Sequence, residues 1–75
     1  MSYEAAHERF VERLEGIREK RGMTRKAFSL FLDLSPYTYD YYVTRGGMPN
    51  LYTAMVIAEK LGMTLDQMLG IGGKK

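Results

Sequence analysis

The sequence predicts a single all-α domain, a compact bundle of five short helices. Apolar residues recur at spacings of three and four along the chain, and capping residues and glycines divide this pattern into five segments. No segment alternates apolar and polar residues in the manner of a β-strand. A chain of 75 residues has room for one domain with a small core.

The first helix is predicted over residues 3–21. Phe10, Leu14 and Ile17 have the spacing of one apolar helix face, which indicates the side that packs against the rest of the domain. Gly22 follows a basic last turn and is typical of the left-handed residue that ends a helix.

The second and third helices are predicted over residues 25–32 and 36–44, with a short turn between them. Thr24 is a favourable N-cap for the second helix. Ser35 is predicted to cap the third helix, because Pro36 would then occupy the first helical position, where proline is well tolerated.

The fourth and fifth helices are marked by their first residues. Asn50 is predicted to cap a fourth helix over residues 51–61. The apolar face expected for this helix consists of Leu51, Ala54, Met55, Ala58 and Leu61. Thr64 and Gln67 have the spacing of a capping box, which predicts a short fifth helix ending near residue 69.

Composition disfavours several classes of function. The chain has no cysteine and a single histidine, His7, so neither disulfide bonds nor a metal site is expected. No apolar run approaches the ~20 residues of a membrane span, and the charged N-terminus lacks a signal peptide's apolar stretch, so a cytoplasmic protein is expected. We find no clustered acid, base or nucleophile, and therefore expect no enzyme, cofactor or small-molecule substrate. Residues 1–70 are assigned to the domain and residues 71–75 to a short flexible tail.

Residues 24–44 are the most informative stretch, because they form a predicted helix, turn and helix. This stretch and its surroundings resemble the Cro/phage-repressor helix-turn-helix family of bacterial and phage DNA-binding domains. The matching positions are Leu14, Ile17 and residues 22–24, 26–28, 34–39 and 49–51, with Ala54 and residues 57–69. The resemblance extends over about residues 10–69 without a gap. It implies a compact five-helix bundle of the lambda/Cro-repressor-like type.

The resemblance also implies a function, a sequence-specific transcriptional regulator that acts as a repressor or Cro-like switch on double-stranded DNA. The third helix would lie in the major groove. Base contacts are implied at Pro36, Tyr37, Asp40 and Tyr41. Phosphate contacts are implied at Thr24, Arg25, Lys26, Ser35, Thr44 and Arg45.

A homodimer is expected, because one such module makes too few phosphate contacts for useful affinity at physiological salt. Two half-sites would then lie roughly 34 Å apart, one turn of DNA. Two surfaces are candidates for the dimer contact, the fifth helix with the tail and the N-terminal extension. Their residues are Leu65, Met68, Leu69 and Ile71 in the first, and Tyr3 and Phe10 in the second.

Helical spacing divides the third helix in the same way without reference to any family. The outer face is predicted to carry Tyr37, Asp40, Tyr41 and Thr44, and the core side Tyr39, Tyr42 and Val43. The outer face has no Arg, Lys, Gln or Asn, the residues that make most bidentate base contacts. An alternative is therefore a non-catalytic protein-interaction module, an antirepressor or adaptor, that uses the tyrosine-rich helix. Arg25 and Lys26 favour DNA.

Overall fold

The structure, a computed structural model, describes residues 2–69, and these residues form five α-helices and no strand. The helices are α1 (Tyr3–Lys20), α2 (Arg25–Phe31), α3 (Thr38–Arg45), α4 (Leu51–Leu61) and α5 (Leu65–Leu69). The predicted all-α class and the order of the five helices are confirmed. The tail predicted over residues 71–75 lies outside the described residues.

Local capping explains why the helices begin where they do. The side chains of Thr24 and Asn50 accept hydrogen bonds from the backbone N–H three residues further on, at 3.1 and 2.8 Å. Thr64 and Gln67 each accept a hydrogen bond from the other's backbone N–H, at 3.1 and 2.9 Å. These bonds satisfy N–H groups that a helix start leaves unpaired, and they confirm the predicted caps and the capping box.

The turn between α2 and α3 is made by Asp33, which has a φ of +63°. The backbone N–H of Leu34 donates to the Ser29 carbonyl at 2.9 Å, and that of Asp33 donates to the Leu30 carbonyl at 3.0 Å. These two bonds are those of a Schellman motif, which requires a left-handed residue after the helix. Aspartate tolerates this conformation better than most residues, although glycine is the usual choice.

The predicted start of the third helix is wrong. Ser35 does not cap it and Pro36 does not begin it, because α3 begins at Thr38 and Pro36 lies in the preceding turn. The reason is Ser29, a buried residue of α2 whose hydroxyl donates to the Ser35 carbonyl at 2.5 Å and accepts from the Tyr39 N–H at 3.2 Å. A side chain from α2 therefore supplies the cap that Ser35 was expected to supply.

The core receives side chains from all five helices. Its buried apolar residues are Phe10, Leu14, Phe28, Leu32, Tyr39, Tyr42, Ile57, Ala58 and Met68. Tyr39 meets Phe28 edge to face with 5.0 Å between ring centroids, and Tyr42 meets Phe10 in the same manner at 5.7 Å. The predicted core side of α3 is thus confirmed for both tyrosines.

The apolar face predicted for the fourth helix is partly wrong. Leu51 and Met55 are exposed, whereas Ile57 is fully buried and Ala58 nearly so. Apolar residues occur on more than one side of α4, so spacing alone could not show which side the core covers. Leu51, Tyr52 and Met55 form an exposed apolar strip on this helix.

The length and hydropathy of the helices test whether any of them could cross a membrane. The longest helix, α1, has 18 residues and alternates acidic and basic side chains along most of its length. Among residues 2–69, no helix combines the length and the apolar character that crossing a membrane requires.

Candidate functional site

The outer face of α3, together with its N-cap residue Tyr37, is open to solvent and carries two tyrosines. The side chains of Tyr37 and Tyr41 are 74% and 53% exposed, and Thr44 is exposed one turn further on. Asp40 lies between the tyrosines and is partly buried. The helical spacing therefore correctly separated the solvent side of α3 from its core side.

Tyr41 does not project freely from this face, because its ring lies on the backbone of Gly47. A Cβ atom added to Gly47 would lie 2.1 Å from Cε2 of the Tyr41 ring. Only a residue without a side chain fits under the ring in this position. Gly47 thus limits the directions in which the Tyr41 hydroxyl is presented.

The start of α1 holds the end of α3. Nε2 of His7 donates to the Tyr42 carbonyl at 2.7 Å, and the Tyr3 hydroxyl donates to the Gly46 carbonyl. Both carbonyls belong to the end of α3, where helical carbonyls lack a partner within the helix. His7 therefore has a structural role, because it is partly buried and bridges two helices.

Arg25 connects α2 to both neighbouring helices. Its Nη1 lies 3.1 Å from Oδ1 of Asp40 on α3, and its Nη2 lies 3.4 Å from Oε1 of Glu15 on α1. Arg25, one of the six residues predicted to contact DNA phosphate, is therefore already paired with two carboxylates.

Glu15 is the centre of this arrangement. It pairs with Nε of Arg18 at 2.7 Å and accepts a hydrogen bond from the Tyr39 hydroxyl at 2.6 Å, besides its contact with Arg25. Burial acts to raise the pKa of Glu15, but the hydrogen bonds from Arg18 and Tyr39 and the nearby positive charges outweigh it. The net pKa lies below the ordinary value, so the carboxylate is ionised at neutral pH.

Tyr39 is the neutral member of the group. Burial raises the pKa of its phenol strongly, and the bond to the Glu15 carboxylate raises it further. The hydroxyl consequently stays protonated and acts as a donor. One ionised carboxylate, one phenol and two guanidinium groups thereby join α1, α2 and α3.

The remaining candidate phosphate contacts fall into two groups. The hydroxyls of Thr24, Ser35 and Thr44 are engaged within the chain, Thr24 as the cap of α2, Ser35 with the Thr38 hydroxyl at 2.5 Å, and Thr44 with the Asp40 carbonyl at 2.8 Å. Lys26 and Arg45 are exposed, and neither makes an ion pair with the residues that the structure describes.

Three residues of the site, Glu15, Ser29 and Gly47, were not among the predicted site residues. The acid–base spacing of Glu15 and Arg18 on α1 was visible, but the contacts with Arg25 and Tyr39 join residues 10 and 24 positions apart. No local pattern indicates such contacts. Gly47 lies between the predicted third and fourth helices, and no sequence pattern indicates that it is buried beneath Tyr41.

Two of the candidate dimer residues are excluded by burial. Phe10 and Met68 are fully buried in the core, while Tyr3 is exposed and Leu65 and Leu69 are partly buried. Ile71 lies outside the described residues.

The site as a whole presents aromatic rings and one carboxylate on α3. Lys26 and Arg45 add two cations that have no ion-pair partner in the part of the chain that the structure describes. Within residues 2–69, no group of three or more potential metal-ligating side chains is found. Comparisons with protein-family models, with curated proteins and with solved structures give no match for this chain.

Proposed function

We propose that this chain is a sequence-specific double-stranded DNA-binding transcriptional regulator, a repressor or Cro-like switch of the helix-turn-helix type. In this proposal α2 and α3 are the two helices of the motif, and α3 is the helix that reads DNA. The observation that carries the proposal is the division of α3 into a buried side, with Tyr39 and Tyr42, and an open side, with Tyr37 and Tyr41.

The dimensions of α3 support insertion into the major groove. A helix with its side chains is about 10–12 Å across, and the groove is about 12 Å wide. The eight residues of α3 extend for about 12 Å, enough to pass three or four base pairs. A helix used in this way must be held rigidly from behind. The packing of the Tyr39 ring on Phe28 and the hydrogen bond from His7 to the Tyr42 carbonyl provide that support.

Each side chain of the outer face has a contact that it can make in the groove. The rings of Tyr37 and Tyr41 can pack against thymine methyl groups, and their hydroxyls can donate to phosphate oxygens. Asp40 can accept from the amino group of cytosine. Lys26 and Arg45 supply exposed positive charge for the sugar–phosphate backbone, at the start of α2 and at the end of α3.

The proposal includes a homodimer that acts in the cytoplasm, where chromosomal or phage DNA is accessible. Among the described residues, two of the proposed phosphate contacts, Lys26 and Arg45, are cations without an ion-pair partner. One module with so few contacts of this kind binds DNA weakly at physiological salt, so two copies on a palindromic site are expected. Occupation of such a site would block or recruit RNA polymerase. Sedimentation of the chain with a selected duplex tests this part, since it distinguishes one copy per duplex from two.

The second candidate function is a protein-interaction module on the same fold, an antirepressor or adaptor. The observation that favours it is the composition of the outer face, where tyrosines surround a carboxylate that is paired with Arg25. Tyrosine is enriched at the centres of protein interfaces, whereas bidentate base contacts come mostly from Arg, Lys, Asn and Gln.

Selection of random-sequence duplexes at two salt concentrations distinguishes the two functions. The wild-type chain is compared with Tyr37→Ala and with Tyr52→Ala, a matched control whose side chain is equally exposed, at 74%, but lies on α4. We expect an enriched palindrome that is lost with Tyr37→Ala and kept with Tyr52→Ala. If no sequence is enriched and retention does not fall with salt, DNA binding is excluded and the tyrosine face should be tested against proteins.

A further inference from the structure

The two carboxylates that hold Arg25 differ in how firmly they are fixed. Glu15 is 18% exposed and is also bound by Arg18 and Tyr39. Asp40 is 49% exposed, and Arg25 is its only ion-pair partner among the described residues. If the contact with Arg25 is lost, Glu15 keeps two other hydrogen-bond donors. The Asp40 carboxylate, in contrast, is then solvated by water alone.

The difference makes Asp40 the exchangeable partner. An ion pair near the surface is weakened by water and salt, and its members separate at little cost. The contact of Arg25 with Glu15 meanwhile keeps the guanidinium beside α3. Arg25 itself is 38% exposed, so an incoming anion can reach it without a rearrangement of the core.

Asp40 also lies where a polyanion would approach. It is on the outer face of α3, one turn after Tyr37 and next to Tyr41 in sequence. Its carboxylate bonds to Nη1 of Arg25 through a single oxygen, in the geometry that a phosphate oxygen would use. A carboxylate and a phosphate therefore compete for the same nitrogen.

We propose that Asp40 is an internal competitor of DNA phosphate, which occupies Arg25 in the free chain and releases it to the DNA backbone in the complex. The inference rests on the proposed function and adds to it a residue that limits affinity. The freed Asp40 carboxylate then lies near DNA phosphates and keeps a counterion from the solution beside it. The chain thus gains less from counterion release than its basic residues would otherwise provide, and its binding to duplexes of any sequence is weakened.

The substitution Asp40→Asn tests the proposal in its simplest form. It removes the charge and keeps the size of the side chain. The matched control is Asp33→Asn, which makes the same charge change in an acid that also has a basic partner 3.1 Å away, Lys60 on α4. Binding of both variants and the wild type to one random-sequence duplex is titrated over a series of salt concentrations.

We expect Asp40→Asn to bind about fivefold more tightly than the wild type, the upper end of what one exposed ion pair contributes. The logarithmic slope of affinity against salt should steepen by about 0.9, because the variant has no freed carboxylate that retains a cation and offsets the counterion released by the Arg25–phosphate contact. Asp33→Asn should remain within about twofold of the wild type. Unchanged or weaker binding of Asp40→Asn overturns the proposal, as does an equal gain with Asp33→Asn.

A second pair of variants shows whether the effect acts through Arg25. In an Arg25→Ala background, the gain from Asp40→Asn should fall below about twofold, because no guanidinium is left to release. A full gain in that background would mean that Asp40 merely repels phosphate, and it would overturn the exchange. Asp40→Ala, a good helix former at this partly exposed position, replaces Asp40→Asn if the latter does not fold.

The outcomes also separate this inference from the proposed function. If the wild type binds duplex DNA with a salt-dependent affinity and Asp40→Asn does not differ from it, the inference alone fails. If neither the wild type nor any variant binds duplex DNA, both fail.

Discussion

The hydroxyl of Tyr39 donates a hydrogen bond of 2.6 Å to Oε2 of Glu15. The bond joins the buried side of α3 to the last third of α1 and passes beside Arg25, which contacts the same carboxylate. The position of α3 therefore depends on a polar contact as well as on the packing of its aromatic rings. This contact would matter for the proposed role of α3, since an error in the orientation of the helix displaces every side chain on its outer face.

Removing this hydroxyl should destabilise the fold without changing the shape of the core. Tyr39→Phe is expected to lower the free energy of unfolding by about 1–2 kcal/mol, because a carboxylate with little access to water loses one of its donors. Urea denaturation followed by circular dichroism measures the change. Tyr37→Phe, on the exposed side of the same helix, should stay within about 0.5 kcal/mol. Equal losses in the two variants would contradict the role of the Tyr39–Glu15 bond.

Acid should weaken the fold through Glu15. The pKa of this carboxylate is lower in the folded chain than the ordinary value of 4.5, so the unfolded chain takes up the proton first as the pH falls. The stability that Glu15 contributes is fully present above pH 4.5 and is lost as the pH drops below that value toward the folded pKa. Urea titrations at several pH values between 7 and 3 test this.

Glu15→Gln is the reference for the acid experiment, because it cannot ionise. We expect it to be less stable than the wild type at pH 7, and we expect the difference to narrow on acidification. A difference that stays constant from pH 7 to pH 3 would show that the ionised carboxylate contributes nothing to stability.

How much of this arrangement could be predicted depends on how far apart the interacting residues are in the chain. The caps made by Thr24, Asn50 and Thr64 act over three residues, and the helices that follow them begin as expected. The start of α3 was misplaced because its cap, Ser29, belongs to another helix. Patterns of local spacing contain no information on such a contact.

The candidate site shows the same limit. Spacing separated Tyr37 and Tyr41 from Tyr39 and Tyr42, since a single helix has only one side facing the core. It did not show that Arg25 is bound by Glu15 and Asp40, because the position of α2 between α1 and α3 is a property of the whole fold. The exposure of Leu51 on α4 also could not be predicted from spacing, because it depends on how the other helices pack against α4.

Ser29→Ala should show the importance of the cap between helices. The Ser29 hydroxyl is fully buried and makes two hydrogen bonds, so its loss leaves the Tyr39 N–H without an acceptor and is expected to cost about 1–3 kcal/mol. Ser35→Ala, the position where a cap was predicted, should cost less than about 1 kcal/mol. The amide of Tyr39 should also exchange faster with solvent in Ser29→Ala. A larger loss of stability with Ser35→Ala than with Ser29→Ala would show that Ser35, and not Ser29, caps α3.

The turn after α2 offers a test in which the backbone decides the result. At a φ of +63°, Asp33→Ala should destabilise the chain by about 1 kcal/mol, because alanine adopts the left-handed conformation poorly. Asp33→Gly should be more stable than Asp33→Ala, although both variants lose the ion pair with Lys60. The difference in stability between the two variants therefore isolates the cost of the left-handed backbone conformation, and thermal unfolding can measure it. Equal stabilities would show that the left-handed residue carries no strain.

Gly47→Ala should displace the Tyr41 ring while leaving the helices in place. The added methyl group would lie 2.1 Å from the ring, but Tyr41 is exposed and can rotate away, so we expect a loss below about 1 kcal/mol. The ring protons of Tyr41 should shift in the nuclear magnetic resonance spectrum, whereas those of Tyr52 should not. If Tyr41 contacts DNA, Gly47→Ala should weaken binding about as much as Tyr41→Ala does, and the two changes together should add little. Full additivity would mean that the orientation of the ring on Gly47 is irrelevant to binding, and that the two residues affect the complex independently.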